Sequence, residues 1–98
     1  MKDKEKKLVV VIRADGTTSV VDKPLKLEQW QALVGGPIEL TQFAGFCVVL
    51  HEEGRIRDLP KNPIFPMYRG TVLFCRKGLG GLREQDLPKL WELGIPRP

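Results

Sequence analysis

The stretch GGPIE, residues 35–39, marks the point where a predicted helix ends and a predicted strand begins. Before it, residues 26–34 repeat apolar side chains at the spacing of a short amphipathic helix. Gly35 suits the left-handed position that closes such a helix, and the Gly-Pro pair that follows prevents its continuation. After it, the alternation in residues 38–41 predicts a strand.

Upstream of this stretch, two β-branched runs predict a β-hairpin. Residues 8–12 are apolar at every position, which is typical of a central strand, and residues 17–21 are again β-branched. Asp15 and Gly16 between the runs predict a type I′ turn, which has positive φ at both central positions. Residues 1–7 alternate in charge, and we expect a flexible tail there.

Downstream, apolar runs at residues 46–50 and 71–75 predict two more strands, with a break at Ala44-Gly45 before the first of them. Residues 55–57 predict a further short strand after a turn at Glu53-Gly54.

Proline and glycine mark the remaining connections. Residues 59–63 contain two prolines and predict irregular structure, while residues 78–81 predict a flexible loop. Asp86 is a candidate N-cap for a last short helix with four apolar residues facing inward: Leu87, Leu90, Trp91 and Leu93. The order β-β-α-β-β-β-β-α predicts one α+β domain over residues 8–98, with a mixed or antiparallel sheet covered by a helix. The β-grasp plan, which also begins with a hairpin and then a helix, is one candidate.

Composition describes an ordinary small globular protein. The 98 residues are 42% hydrophobic and 29% charged, and a chain of this length buries a core too thin to enclose a large active site. The longest apolar run is too short to span a bilayer and no signal peptide is visible, so we expect a cytoplasmic protein without a membrane partner. The chain has a single asparagine, Asn62, and a scarcity of amide side chains is one mark of heat-adapted proteins.

The two cysteines, Cys47 and Cys75, both lie in predicted strands. A disulfide bond requires those strands to be neighbours. In a reducing cytosol we favour two small buried thiols.

Four short segments carry a resemblance to a known family: VGGPIE at residues 34–39, VLHEEGR at 49–55, LPKN at 59–62 and GTVL at 70–73. In this order, across roughly residues 8–87, they resemble a family of short uncharacterised proteins of phages and bacteria, described only as a domain of unknown function. The lysine-rich start and the ending at residues 88–98 depart from the usual pattern. The resemblance implies a phage or mobile-element accessory protein and brings no catalytic residues with it.

Candidate catalytic and metal-binding groups are isolated in the sequence. His51 is the only histidine, and on a strand Cys47 lies about 13 Å from it, too far to share a metal ion. We therefore interpret His51 as a surface or turn residue. Four carboxylates near Arg55 and Arg57 predict solvated ion pairs: Glu39, Glu52, Glu53 and Asp58. Ser19 has no nucleophile motif around it. We expect no enzyme activity, no metal and no cofactor.

The sequence has no acidic residue between Asp58 and Glu84. The candidate binding residues in or beside this window are Lys61, Asn62, Arg69, Arg76, Lys77 and Arg83. The loop at 61–62 and the strand end at 76–77 can converge on an anion, and Phe65, Tyr68 and Phe74 are candidate stacking groups.

A structural interpretation of the same window stays open. The arginines can pair with acids elsewhere, the phenylalanines can be core, and Asn62 can cap a turn before Pro63. The glycines of residues 78–81 can form an anion nest or a simple connection.

We interpret the chain as a binding protein. The expected partner is a host protein with an acidic surface, engaged through the basic loops after Asp58 or through an exposed sheet edge. The alternative is a nucleotide or nucleic acid bound by the same basic residues. Both a monomer and a homodimer are compatible with so small a sheet.

Overall fold

A computed structural model describes residues 6–98 of the chain. In chain order its elements are β1 (Leu8–Ile12), β2 (Thr18–Asp22), α1 (Leu27–Val34), β3 (Ile38–Phe43), β4 (Phe46–His51), β5 (Val72–Cys75), a 3₁₀ turn (Glu84–Asp86) and α2 (Leu87–Glu92). The strands form one sheet in the order β2-β1-β5-β4-β3, and each neighbouring pair is antiparallel. The predicted α+β class is confirmed, in its antiparallel form, and the hairpin followed by a helix that suggested the β-grasp plan is present.

Of the predicted flexible tail, residues 1–5 lie outside the described part of the chain. Lys7 is joined to the sheet, because its carbonyl accepts a hydrogen bond from Lys23 N at 2.8 Å.

The first hairpin is closed by a different turn from the predicted one. Arg13 N donates to the Thr17 carbonyl at 2.9 Å, and Gly16 N donates to the Arg13 carbonyl at 2.9 Å. Only Gly16 has positive φ in this turn (91°), while Asp15 accepts from Thr17 N with its side chain at 2.9 Å. The hairpin prediction is confirmed. The type I′ prediction is wrong, because the Asp15 side chain favours a three-residue loop that ends on a left-handed glycine.

The type I′ geometry occurs instead between β3 and β4. Ala44 and Gly45 both have positive φ (55° and 86°), and the flanking Phe43 and Phe46 are paired directly. The sequence indicated only a break there, because alanine is an unusual residue for the first position of this turn.

Helix α1 begins and ends as its sequence predicts. Gln29 Oε1 accepts from Leu25 N and Lys26 N at 2.9 and 3.1 Å, which satisfies two backbone donors at the start. Gly35 closes the helix with φ of 89°, and its N–H donates to the Gln31 carbonyl at 2.8 Å.

The short strand predicted for residues 55–57 is wrong. Consecutive turns occupy residues 52–58 instead. Arg57 N donates to the Glu53 carbonyl at 2.9 Å, and Arg57 Nε lies 2.7 Å from Glu53 Oε1. This spacing of four residues is the one that favours a helical turn over a strand.

Strand β5 lies between the two hairpins and pairs with both of them. A hydrophobic core packs on each face of the resulting sheet. The face under α1 buries Val9, Val11, Trp30, Val34, Cys47, Val49, Leu73 and Cys75. The other face is covered by the loop at residues 59–70 and by α2, and it buries Leu8, Val10, Ile12, Val48, Phe65, Val72, Phe74, Leu82, Leu90 and Ile95. The cysteine strands are neighbours, with Cys47 directly opposite Cys75, and both thiols are free and buried.

After β5 the predicted flexible loop is a hydrogen-bonded turn. Arg76 and Gly80 exchange two backbone hydrogen bonds at 2.8 and 2.9 Å, and Leu82 then pairs with Leu8 in the same way at 2.7 and 2.8 Å. The glycines of residues 78–81 therefore turn the chain back to the start of β1, at Leu8.

The final helix follows the predicted position, with Asp86 at its N-cap. The Asp86 side chain, however, accepts from Arg83 N at 2.9 Å, so it caps the 3₁₀ turn and not α2 itself. Beyond the helix, Ile95 is buried and the Pro96 carbonyl accepts from Thr18 Oγ1 at 2.7 Å. Among residues 6–98, no helix has the length and apolar character needed to cross a bilayer.

Candidate functional site

The turn at residues 35–39 is shaped by His51, which sequence reasoning placed at the surface or in a turn. His51 is buried, so the surface interpretation is wrong, and its Nδ1 accepts from Glu53 N at 3.0 Å, which confirms a role in the turn. A Cβ on Gly36 would overlap the His51 imidazole. Gly36 is therefore needed for close approach, whereas Gly35 is needed for positive φ.

Asn62 belongs to the interior and not to a binding surface. Its side-chain amide donates to the carbonyls of Ile12 (3.1 Å) and Gly70 (2.9 Å). Its Oδ1 accepts from the backbone N–H groups of Ile64 and Phe65 at 3.0 and 3.2 Å. The side chain is completely buried, so its candidate role in anion binding is corrected: it ties the 59–70 loop to the sheet.

The acid-free window divides into two clusters at opposite ends of β5. Arg69 precedes the strand and Arg76 follows it, so the ends are separated by at least the length of β5, about 13 Å for four residues. The expected convergence of the 61–62 loop with the 76–77 strand end is therefore wrong.

One cluster contains Lys61 and Arg69, which face each other across an isolated antiparallel bridge. Arg69 Nη1 contacts Asp58 Oδ1 at 3.0 Å and the Leu59 carbonyl at 2.9 Å. Arg69 is thus held in place by an acid just outside the window. Lys61 is exposed and forms no ion pair within residues 6–98.

The other cluster contains Arg76, Lys77 and Arg83. Asp86 connects it, because Asp86 Oδ2 accepts from Arg83 N at 2.9 Å and lies 3.8 Å from Arg76 Nε. Lys77 is exposed at the tip of the turn after β5. At this end of the sheet the buried Asp86 carboxylate therefore contacts the Arg76 side chain and the Arg83 backbone.

The candidate stacking aromatics are mostly core residues. Phe65 and Phe74 are buried, and their ring centroids lie 5.3 Å apart. Tyr68 remains half-buried beside Phe65, and burial raises the pKa of its phenol.

An open groove lies beside the cluster of Lys61 and Arg69, on the face opposite α1. Its volume is about 510 Å³, and the strand residues Glu39, Thr41 and Leu50 form one side. The other side comes from the turns at 52–58 and from the end of the 59–70 loop, which contribute Arg55, Ile56, Met67, Tyr68 and Arg69. Ile56 is 86% exposed and Met67 is 55% exposed, although both are apolar. We call this feature the Ile56–Met67 groove.

The comparison with family models decides the relationship of the chain. The model described as "Domain of unknown function (DUF3846)" matches residues 5–92. The chain belongs to the DUF3846 family. No curated protein and no solved structure matches it.

The four family-like segments of this DUF3846 domain all contribute to one region. The turn of residues 34–39 packs on His51 from the second segment, and Asn62 from the third binds the Gly70 carbonyl from the fourth. The Ile56–Met67 groove opens beside them.

Among residues 6–98, no group of three or more His, Cys, Asp and Glu side chains is arranged to hold a metal ion. Of the four carboxylates expected to form ion pairs, Glu53 pairs with Arg57 and Asp58 pairs with Arg69. Glu39 and Glu52 form none within residues 6–98. Ser19 Oγ accepts a hydrogen bond from Arg13 at 2.9 Å.

Sequence reasoning missed Ile56 and Met67 as surface residues. The prediction of a strand at residues 55–57 placed Ile56 in an alternating pattern, where an apolar residue normally faces the core. The spacing of Glu53 and Arg57, four residues apart, was the available signal for a turn that turns Ile56 outward. Met67 lies in the proline-bounded loop, where sequence carries no periodicity to assign a face.

Proposed function

We propose that this DUF3846 chain is a non-enzymatic binding protein that engages a partner protein through the Ile56–Met67 groove. We further propose that it is a phage-type accessory protein whose partner is a protein of the host cytoplasm. The observation that carries the proposal is the pair of exposed apolar side chains, Ile56 and Met67, that line the same groove.

Exposed apolar side chains that share a concave surface are typical of protein interfaces. Single exposed apolar residues are common on monomers, but two that border one groove supply a desolvated centre for a partner's side chain. The methionine adds an adaptable contact, since its unbranched side chain fits partners of different shape. The half-buried Leu50 and Tyr68 add further apolar surface to the lining of the groove.

Charged side chains around the groove can orient a bound partner protein. Arg55 lines it without an ion pair in the described chain, and Lys61 is likewise unpaired beside Arg69. These cations favour a partner with acidic residues at that end. Because Glu39 and Glu52 line the same groove, the charges select how the partner docks more than they add net attraction.

The test is affinity capture from a nuclease-treated host lysate with wild-type protein and two variants. The first variant carries Ile56→Asp and Met67→Asp together. The second carries Leu25→Asp, a matched control because Leu25 is also 86% exposed but lies beside α1 and β2. We expect a stoichiometric protein to bind wild type and the control, and the double variant to bind at least about tenfold more weakly. Equal capture by the double variant, or no capture by wild type, would overturn the proposal.

The second candidate is a nucleotide or nucleic acid bound at the other end of the sheet. Arg76, Lys77 and Arg83 favour it because they share one end of β5, although the burial of Phe65 and Phe74 removes two stacking groups. Binding of a labelled single strand should then fall steeply with salt. It should also be lost in the Arg76→Glu, Lys77→Glu variant and kept in the Ile56→Asp, Met67→Asp variant. The opposite pattern excludes this candidate.

A further inference from the structure

The outer side of strand β3 is an unprotected sheet edge. Its two-residue turn at Ala44-Gly45 makes Phe43 and Phe46 a hydrogen-bonded pair, so alternate residues of β3 bond to β4. The bond from Glu52 N to the Pro37 carbonyl (2.8 Å) continues the same alternation beyond the strand. The backbone groups of Ile38, Leu40 and Gln42 therefore point away from the sheet. Within residues 6–98 no loop or side chain satisfies them.

The residues of this edge lack the usual protection. Proteins shield edge strands with proline, lysine, a bulge or a covering segment. Strand β3 has no proline, lysine or bulge within its six residues, and Glu39 is its single charged residue. It carries Leu40 instead, a leucine that is 48% exposed.

We propose that β3 is the interface of a homodimer, in which the β3 strands of two copies pair antiparallel and join the two sheets into one of ten strands. The backbone edge is complementary only to another extended chain. We choose a second copy of the chain as the partner, because two β3 strands can pair with each other in a favourable register.

Three two-fold registers pair at least two of the three outward residues, and they differ in the contacts that they make. Centring the axis on Leu40 pairs Leu40 with Leu40 of the second copy and Ile38 with Gln42 on both sides, which uses all three outward residues. Centring it on Glu39 places two glutamates directly opposite each other, which is destabilising. Centring it on Thr41 leaves Ile38 unpaired. The Leu40-centred register makes the most hydrogen bonds and buries two exposed leucines against each other.

The same register relates the two Ile56–Met67 grooves. Glu39 and Thr41 line the groove, and Ile38 packs with the α1 face, so the odd-numbered side chains lie opposite α1. The two-fold axis is perpendicular to the sheet and keeps both grooves on one face. Glu39 of each copy then lies opposite Thr41 of the other. Each groove is thereby extended by the second copy.

The assembly closes at two copies. An isologous contact uses the same surface on both chains and leaves no second β3 edge free. The outer strands of the dimer are then both β2, where Thr18 Oγ1 is engaged by the Pro96 carbonyl and the charged Asp22 and Lys23 end the strand. This inference concerns contacts of the chain with itself, so it is independent of the proposed binding partner.

The experiment measures molar mass by light scattering over a concentration series for three proteins. Wild type should reach twice the 11.1 kDa chain mass. Leu40→Lys introduces the charge that natural edges use and should remain at the single mass. Leu27→Lys is the matched control, since Leu27 is a 55% exposed leucine on α1, and it should dimerise like wild type. Circular dichroism confirms that each variant is folded.

A second measurement fixes the register. Hydrogen exchange should protect the amides of Ile38, Leu40 and Gln42 in wild type and release them in Leu40→Lys. A wild type that stays monomeric, or a Leu40→Lys variant that dimerises equally well, would overturn the proposal. Monomeric wild type with partner capture that depends on Leu40 would instead assign the edge to the partner protein.

Discussion

At the scale of single residues, Asn62 shows how one side chain can decide where a long loop lies. At 3.2 Å or less its amide bonds four backbone groups, one at the end of strand β1 and three within the 59–70 loop. The sequence offered two interpretations of Asn62, a turn cap and an anion ligand. The turn cap is confirmed by the bond from Ile64 N to its Oδ1. Nothing local in the sequence indicated the bond to Ile12, fifty positions away.

Replacing this amide should destabilise the fold strongly. In Asn62→Ala the carbonyls of Ile12 and Gly70 and the two loop N–H groups lose their partner while remaining buried. We expect the free energy of unfolding to fall by about 3 kcal/mol, measured by urea denaturation. The neighbouring Lys61→Ala is the control and should change it by less than about 0.5 kcal/mol, since Lys61 is exposed. A similarly small effect for Asn62→Ala would show that water replaces the amide.

At the scale of elements, the sequence predicted strands correctly where several apolar residues follow one another, because exposed loops rarely contain such runs. The strands β1, β4 and β5 were predicted from such runs. The segment at residues 52–58 was not, because Arg55, Ile56 and Arg57 alternate like a strand while Glu53 and Arg57 pair along a turn. Strand order was also beyond sequence reasoning, since β5 inserts between the two hairpins through contacts distant in the chain.

The pairing of β4 with β5 places the two cysteines together, which allows a prediction about the reactivity of their thiols. Cys47 and Cys75 face each other under α1, and burial, followed by the neighbouring Cys47, raises the pKa of the Cys75 thiol far above its usual range. The Cys75 thiol is therefore protonated at neutral pH, and burial shields both thiols from an alkylating reagent. We expect iodoacetamide to label neither cysteine of the native protein by mass spectrometry and to label both in urea. A Leu25→Cys variant provides an exposed thiol as control. Rapid native labelling of Cys75 would contradict its burial.

The same raised pKa sets the direction of a pH effect on stability. The unfolded chain ionises Cys75 at the ordinary thiol pKa, about 8.5, whereas the folded chain keeps it protonated. The thiol therefore contributes its stability below that pH, and the contribution is lost as pH rises through the alkaline range. Cys75→Ala should show a shallower alkaline decline in the urea midpoint than wild type. An identical decline would assign the effect to other groups.

At the scale of the whole molecule, the acid-free window illustrates what a linear charge pattern omits. Its acids are supplied from outside: Asp58 reaches Arg69 and Asp86 lies beside Arg76. Strand β5 then separates its two halves. The sequence shows which residues are basic. Which of them lie close together depends on the positions of the turns in the folded chain. The groove depends on the same reversals, which bring residues 39–41, 55–56 and 67–69 together.

The chain beyond the family match contributes to the same fold. The match ends at residue 92, yet Ile95 is buried against the core opposite α1. Ile95→Ala should lower the free energy of unfolding by about 3 kcal/mol, because it removes buried methyl groups and leaves a cavity. Arg97→Ala, two positions on and exposed, should leave the urea midpoint nearly unchanged. If both variants unfold like wild type, residues 93–98 are dispensable and the core is complete at α2. A selective loss in Ile95→Ala means instead that residues beyond the family match complete the core of this chain.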